Sequence, residues 1–260
     1  MTFDYNDEKT WDLFEEGRTK GVFQLESNLG KSWSKKVKPK NLEELAALIS
    51  ILRPGCLKAI ADGKSMSQHY VDRKHKVEEV SYLHESLRDI LEPTYGVLIY
   101  QEQCMRITQK IAGFNLQEAD VLRKAIGKKK AGLMAKVRKD FMLGCKKLKT
   151  VNEETADEIF GWIEKSARYS FNKSHAVAYA MNSYLSAWYK ANFTNEFFLS
   201  YLYYAQEKQD PHQEIYELVS EAKLFNIAVK IPNLNKFTKT FALQKDGLYF
   251  GIKDIKSLTS

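Results

Sequence analysis

Apolar residues recur at helical spacing along most of the chain. In the stretch "NLEELAALISILRPG", Asn41 and Glu44 form a candidate capping box, in which the side chain of each residue accepts a hydrogen bond from the backbone N–H of the other. The apolar positions that follow have the period of a helix face: Leu42, Leu45, Leu48, Ile49 and Leu52. We predict a helix that begins after Asn41 and ends at Pro54 and Gly55.

The same helix signals return further along the chain. Asn115 and Glu118 form a second candidate box, and Gly127 stands where a C-cap glycine is expected. Asp210 followed by Pro211 is typical of a helix start, because proline is favoured in the first turn. These patterns predict further helices after Asn115 and after Asp210.

The longest apolar segment runs from residue 175 to about residue 204. We predict two helices, separated at "NFTNEFF", where Thr194 can cap the second. The segment contains Trp188 and several other aromatic residues, and this density predicts a buried core rather than a surface.

Strand patterns are sparse until the end of the chain. The stretch "TFALQKDGLYFGI" alternates on both sides of Asp246 and Gly247, which predicts a hairpin. "TKGVFQLES", residues 19–27, is a candidate for a short strand. We therefore predict a mainly α fold, helical over residues 1–230, with a small β-hairpin element over residues 231–260.

Composition narrows the class of protein. Of 260 residues, 44% are hydrophobic and 28% charged, as in ordinary globular domains, and no apolar run reaches the roughly 18 residues of a membrane span. The polar, acidic N-terminus "MTFDYNDEK" does not resemble a signal peptide, so we expect a cytoplasmic protein without a membrane partner. The three widely spaced cysteines predict neither a disulfide framework nor a zinc site.

The net charge of +7 favours an anionic partner, and the basic residues cluster. From residue 123 to residue 139, eight of seventeen residues are Lys or Arg and none is acidic. One interpretation is that Arg123 and Lys124 offset the helix dipole beside a solvated loop of Lys128, Lys129 and Lys130. The other is phosphate binding, since the Arg fork and Lys point charges match phosphate oxygens.

A second stretch, "RYSFNKSHAVAYA", residues 168–180, is also a candidate for anion binding. Asn172 or Ser174 can cap a helix whose first N–H groups carry partial positive charge, and Lys173 and His175 add donors. The alternative is a plain capped helix with a solvated lysine. The alternating alanines after His175 leave room for a close approach of a ligand. Arg53, in the last turn of the first predicted helix, fits a binding role and a structural role equally well.

The acidic residues give no catalytic pattern. Adjacent acids such as Glu43 and Glu44 point about 100° apart on a helix, so they do not converge on a pair of metal ions. No P-loop, Gly-x-Gly-x-x-Gly or Gly-x-Ser-x-Gly motif is present. The residues alone therefore indicate a helical phosphate-binding unit without its own catalytic centre.

Several motifs together resemble one family. "GVFQLES" (21–27), "LRPG" (52–55), "DRKH" (72–75), "LEPTYGVLIYQEQ" (91–103), "LRKAIGKKK" (122–130), "FNKSHAVAYA" (171–180) and the closing "YFGIKDIKSL" occur in the order found in bacterial replicative C-family DNA polymerases. Over nearly its whole length the chain resembles the fingers region of these DNA polymerase III alpha subunits. The resemblance implies a DNA-directed DNA polymerase that binds template–primer DNA and an incoming dNTP.

The resemblance also implies roles for individual residues. Arg123 and Lys124 are the first candidates for the triphosphate, and Lys173, Ser174 and His175 are the next. Arg53, Lys128, Lys129 and Lys130 are candidates for DNA, although the three lysines could also reach the triphosphate. The chain departs from the family at Arg168 and Ser170, where glycines are usual, and at Cys56, where proline is usual.

The family's metal-binding aspartates belong to a palm domain that precedes this region. We therefore expect Mg²⁺ to be held by that domain and not by this chain, and we expect the isolated chain to be inactive. "GIKDIKSLTS" resembles the start of a helix-hairpin-helix. The implied partners are the palm and thumb parts of the polymerase and other replisome subunits. The alternative function is a stand-alone, non-catalytic helical module that binds nucleic acid.

Overall fold

A computed structural model describes residues 4–128, 131–166, 169–233, 235 and 238–254. The mainly α fold is confirmed, with thirteen α-helices in these residues. They are α1 (Glu8–Glu15), α2 (Asn28–Val37), α3 (Leu42–Ile51), α4 (Pro54–Lys58), α5 (Met66–Lys74), α6 (Arg88–Leu91), α7 (Gln101–Ala112), α8 (Leu116–Lys128), α9 (Ala131–Leu148), α10 (Glu153–Ser166), α11 (Lys173–Asn192), α12 (Thr194–Ala205) and α13 (Pro211–Ala222). None of the helices described is long and apolar enough to cross a membrane.

Among the described residues the strands form two small sheets. β1 (Ile60–Ala61) pairs antiparallel with β2 (Lys64–Ser65), and β5 (Gly247–Tyr249) lies between β3 (Val229–Lys230) and β4 (Ala242–Gln244). β4 and β5 form the predicted hairpin, whereas the parallel partner β3 was not predicted.

Two details of the strand prediction were wrong. Gly247 does not lie in the hairpin turn, because it pairs with Gln244 and leaves Lys245 and Asp246 as the connection. Residues 19–27 form turns rather than a strand, and Gly21 has a φ of +76° that an extended strand does not adopt.

The chain divides into two compact units, which we call unit A and unit B. Unit A is continuous and spans residues 40–180, whereas unit B combines residues 1–39 with residues 181–260. The division falls inside α11, so this helix contributes residues to both units. The predicted boundary near residue 230 stays a prediction.

Each unit has its own hydrophobic core. In unit A, α7 packs against α8 and α9, and α9 packs against α10, around the fully buried side chains of Ile107, Leu122, Phe141, Phe160 and Ile163. In unit B, α12 and α13 pack together with the small sheet around Phe198, Leu202, Leu218, Ala222 and Leu248. Burial of these side chains stabilises each unit at about 25 cal/mol per Å² of apolar surface.

The predicted helix starts at Asn115 and Asp210 are confirmed. Asn115 Oδ1 accepts from the Glu118 N–H at 2.9 Å, and the Glu118 carboxylate accepts from the Asn115 N–H at 2.8 Å, which completes the capping box. Asp210 caps α13 by accepting from the N–H of Gln213.

The box at Asn41 forms only in part. Asn41 Oδ1 accepts from the Glu44 N–H at 2.9 Å, as predicted. The Glu44 carboxylate, however, accepts from the N–H of Lys40 rather than that of Asn41, and it forms an ion pair with Lys74, so it links elements of unit A and does not complete the box.

Two predicted helix ends were wrong. α8 continues through Gly127 to Lys128, so Gly127 is not a C-cap residue. α3 ends at Ile51, and Pro54 is the first residue of α4, where its missing N–H leaves no hydrogen bond unmade. Proline is favoured in the first turn of a helix, so Pro54 marks the start of α4 as well as lying beyond the end of α3.

The predicted break between α11 and α12 is confirmed at Phe193, but Thr194 is the first residue of α12 rather than its cap. The predicted burial of the aromatic residues holds for Phe198 and was wrong for others. Tyr204 is 58% exposed and Tyr189 43% exposed. Helix geometry gives the reason, because Phe198 and Leu202 are one turn apart on the core face, and Tyr204 lies about 200° around the helix from Leu202.

A buried lysine links three segments of unit B. Lys190 is fully buried, and its Nζ donates to the backbone oxygens of Arg18 at 2.9 Å and Lys20 at 2.7 Å and pairs with Glu221. Burial lowers the pKa of Lys190 to about 8. Burial alone would raise the pKa of Glu221, but Lys190 and Lys31 hold it below its ordinary value.

Candidate anion-binding site

The start of α11 carries the "FNKSH" candidates. Asn172 is its N-cap, since its Oδ1 accepts from the His175 N–H at 2.8 Å, and Ser174 lies inside the first turn. Asn172, one of the two predicted alternatives, is therefore the cap. Ser174 and His175 are exposed on this turn.

Backbone hydrogen bonds hold the start of α11 against the start of α7. The Phe171 N–H donates to the Ile99 oxygen at 2.8 Å, and the Gln101 N–H donates to the Phe171 oxygen at 2.9 Å. Tyr100 and Phe171 consequently form a parallel bridge. These contacts fix the position of the start of α11 relative to the start of α7.

A carboxylate from α7 completes this junction. Glu102 Oε1 accepts from Asn172 Nδ2 at 2.9 Å, and Glu102 Oε2 accepts from the Lys173 N–H at 2.8 Å. The negative charge of Glu102 thus lies at the positive end of the α11 dipole, where it stabilises the helix. One of the N–H groups that we assigned to an external anion is already bound inside the chain.

The side chains of the α11 candidates contact acidic and aromatic groups. Lys173 Nζ lies 2.8 Å from Glu43 Oε1 and 5.7 Å from the ring centroid of Tyr100. The rings of His175 and Phe171 form a T-shaped pair with 5.4 Å between centroids, and the ring centroids of His175 and Tyr179 are 4.0 Å apart. Both candidate side chains therefore remain at the surface beside aromatic rings.

Arg53 joins the same region. It is the N-cap residue of α4 rather than a residue in the last turn of α3, which corrects our prediction. Its Cζ lies 4.1 Å from the ring centroid of Phe171, a cation–π distance. Arg53 and His175 thus share Phe171, and Lys173 lies over the neighbouring ring of Tyr100.

The α8 candidates form a separate group. Arg123 Nη2 lies 2.7 Å from Asp120 Oδ1, and Lys124 Nζ lies 2.8 Å from Asp120 Oδ2. Lys124 and then Arg123 hold the pKa of Asp120 below its ordinary value. Within the described part of the chain, no ion pair, hydrogen bond or ring contact joins this group to Arg53 or to the α11 residues.

The basic run from Lys128 to Lys130 lies almost entirely outside the described residues. Lys129 and Lys130 lie outside the described residues, and of Lys128 the structure describes only that it is the last residue of α8.

The alanines after His175 do not form one small-residue face. Ala176 and Ala180 are fully buried, whereas Ala178 is exposed. Residues four apart share a helix face and residues two apart do not. The predicted close approach of a ligand is therefore wrong for Ala176 and Ala180, whose small size serves packing.

The positive charge belongs mainly to unit A. Unit A contains 24 Lys and Arg against 18 Asp and Glu, a difference of +6, whereas unit B contains 16 against 15. All the candidate cations are in unit A. The electrostatic attraction of this chain for a polyanion therefore arises from the unit that carries the candidate site.

The described residues do not fit a metal ion. Among them no group of three or more His, Cys, Asp or Glu side chains could hold one. The three cysteines are buried and free, and burial raises the pKa of the Cys56 thiol to about 12.

Two comparisons relate this chain to known proteins. Residues 1–149 match a family model described as the bacterial DNA polymerase III alpha subunit finger domain. The chain is similar to the DNA polymerase III subunit alpha of Aquifex aeolicus, with 41% identity over 254 residues, which covers 97% of this chain and 21% of the relative. The corresponding proteins of Escherichia coli (strain K12) and Bacillus subtilis (strain 168) are each 39% identical over 97% and 98% of this chain. The chain spans about a fifth of the length of these relatives, each covered to 21% or 22%.

Proposed function

The chain belongs to the bacterial DNA polymerase III alpha subunit finger domain family, and from this premise we propose that it binds the incoming dNTP and template–primer DNA for a DNA-directed DNA polymerase. The observation that carries the proposal is the match to DNA polymerase III alpha subunits over 97% of the chain. The concentration of the candidate cations in the positively charged unit A supports it.

The proposed reaction is nucleotidyl transfer. The 3′-hydroxyl of the primer attacks the α-phosphorus of the dNTP, the bond to the β-phosphate breaks, and pyrophosphate leaves. The residues of this chain would bind and orient the triphosphate and stabilise the negative charge that grows on it. Mg²⁺ chemistry would be supplied from outside the described residues, with the palm and thumb parts of the polymerase as partners.

We propose that Arg123, Lys124 and Lys173 bind the triphosphate by exchanging an acidic partner for phosphate oxygens. Their present pairs with Asp120 and Glu43 are surface pairs, with 40–55% of each cationic side chain exposed. Surface pairs of this kind contribute little, about 0–1 kcal/mol each. A triphosphate offers several charges and bidentate acceptors, so it can displace them.

Ser174 and His175 complete the proposed triphosphate contacts from the exposed first turn of α11. We assign Arg53, Lys128, Lys129 and Lys130 to the DNA backbone, where cations contribute sequence-independent affinity. Arg53, whose guanidinium lies over the Phe171 ring, would then bind DNA beside the α11 candidates for the triphosphate.

Direct binding measurements test this proposal. We expect the chain to bind dATP and a primer–template duplex, measured by calorimetry and by fluorescence anisotropy respectively. A chain that binds DNA but no dNTP would instead support a stand-alone nucleic-acid-binding module. Binding of neither ligand at low salt would contradict both functions.

We expect DNA binding to weaken steeply as salt rises, because each phosphate contact releases condensed counterions. Lys128→Ala should reduce the slope of log affinity against log salt concentration by about one unit. The matched control is Lys245→Ala, since Lys245 is exposed in the β4–β5 turn of unit B, and it should leave the slope unchanged. Equal slopes for the two variants would remove Lys128 from the DNA contacts.

A further inference from the structure

We propose that Glu102 is a positioning residue, which holds the start of α11 in the arrangement that presents Lys173, Ser174 and His175 to the triphosphate. This inference rests on the proposed function. Glu102 is an unexpected residue at such a place, because a carboxylate beside a phosphate site repels the ligand. Its hydrogen bonds to Asn172 and Lys173 favour a positioning role.

Both oxygens of Glu102 bind the segment that precedes the candidate residues. One accepts from Asn172 Nδ2 at 2.9 Å and the other from the Lys173 N–H at 2.8 Å. Asn172 in turn accepts from the His175 N–H at 2.8 Å through its own oxygen. Glu102 therefore orients the cap residue, and the cap residue orients the first turn of α11.

The order of donors and acceptors makes this junction specific. The Asn172 amide must direct its NH₂ toward Glu102 in order to direct its oxygen toward the His175 N–H. A glutamine at position 102 could accept from the Lys173 N–H, but its own NH₂ would then face the NH₂ of Asn172. If Asn172 flipped to relieve this conflict, its oxygen would leave the His175 N–H and the cap would be lost.

Glu43 provides a matched control on the same lysine. It pairs with Lys173 Nζ at 2.8 Å, and no contact to the backbone of α11 is described for it. Like Glu102 it carries a negative charge near the proposed phosphate site. The two carboxylates therefore share an electrostatic effect on an anion and differ in the contact with the start of α11.

The two roles predict changes of opposite sign. Neutralising a nearby carboxylate raises the affinity for an anion if charge alone matters. If Glu102 positions the α11 residues, Glu102→Gln lowers the affinity for dATP about tenfold in spite of the lost repulsion, because small displacements of binding groups are costly. Glu43→Gln should bind dATP as tightly as the parent or several-fold more tightly.

The experiment measures dATP binding to the 260-residue chain by calorimetry at one fixed salt concentration, for the parent, Glu102→Gln, Glu102→Asp and Glu43→Gln. Glu102→Asp keeps the charge but is one methylene too short to reach both donors. Positioning predicts weaker binding for this variant, and charge alone predicts parental binding. Amide hydrogen exchange at His175 should accelerate in both Glu102 variants and not in Glu43→Gln.

Each outcome decides a different question. If Glu102→Gln binds dATP as tightly as the parent or more tightly, the positioning role is overturned while the proposed function stands. If the parent binds no dATP, the proposed function fails and the inference fails with it. Circular dichroism and thermal unfolding report whether each variant folds, and if Glu102→Gln does not fold, parental binding by Glu102→Asp overturns the inference.

Discussion

In a complete polymerase that carries this segment, Arg123→Ala is expected to raise the KM for dNTP and to lower kcat, so that kcat/KM falls about 10- to 100-fold. A charge-assisted hydrogen bond contributes about 1.5–3 kcal/mol, which corresponds to this loss of rate. The effect should reach kcat, since negative charge on the triphosphate grows toward the transition state. Single-nucleotide incorporation under steady-state conditions measures both constants. Lys173→Ala should change them in the same direction.

Asp120→Asn is the matched control for Arg123→Ala. Asp120 binds both Arg123 and Lys124, so its neutralisation releases two cations for the triphosphate and should lower the KM for dNTP. The structural alternative is that Arg123 acts only as a cation near the end of α8, worth about 0.3–1 kcal/mol of helix stability. A parental KM in Arg123→Ala, together with a lower melting temperature, would favour that alternative.

Lys190→Met is expected to lower the free energy of unfolding by about 3–5 kcal/mol, the usual cost of removing one partner from a buried ion pair. The substitution leaves the backbone oxygens of Arg18 and Lys20 without the donor that they share, and it removes one cation from Glu221. Urea denaturation followed by far-UV circular dichroism measures the loss. The control is Lys31→Met, because Lys31 binds the other oxygen of Glu221 from a partly exposed position and should contribute about 0–1 kcal/mol.

The dependence of the free energy of unfolding on alkaline pH tests the burial of Lys190 independently. The pKa of Lys190 is about 8 in the folded chain and about 10.4 in an unfolded chain, so unfolding binds a proton between these values. Stability rises with pH wherever the unfolded state binds more protons. Between pH 8 and 10 the parent should therefore gain stability relative to Lys190→Met. A constant difference across that range would mean that Lys190 titrates as an exposed lysine does.

Local signals in the sequence predicted local structure well. The helix starts at Asn115 and Asp210 were predictable, because a cap and the N–H that it binds are three residues apart. The pairing of Asp120 with Arg123 and Lys124 was also predictable, because residues three and four apart on a helix are neighbours.

The contacts that organise the candidate site could not be predicted from local sequence signals. Glu102 binds Asn172 across 70 residues, Glu43 binds Lys173 across 130, and Arg53 reaches Phe171 from another helix. Only the tertiary fold brings these residues together. Glu102 and Phe171 belong to motifs that the sequence analysis singled out, "LEPTYGVLIYQEQ" and "FNKSHAVAYA", but neither motif shows that Glu102 binds Asn172 or that Arg53 contacts Phe171. The exposed face at Tyr204 was missed for a related reason, since aromatic content predicts burial only on average.

The discontinuous sequence of unit B has a consequence for synthesis on the ribosome. Unit A is a continuous stretch, so all its residues are synthesised before residue 181. Unit B must wait, because Lys190 lies 172 residues after Arg18 and the partners of Lys20 on α13 lie still further along the chain. During this interval the side chains of residues 1–39 that will enter the core of unit B lack their later partners. Translation therefore imposes an order on this fold, in which the unit that carries the candidate site can be complete first.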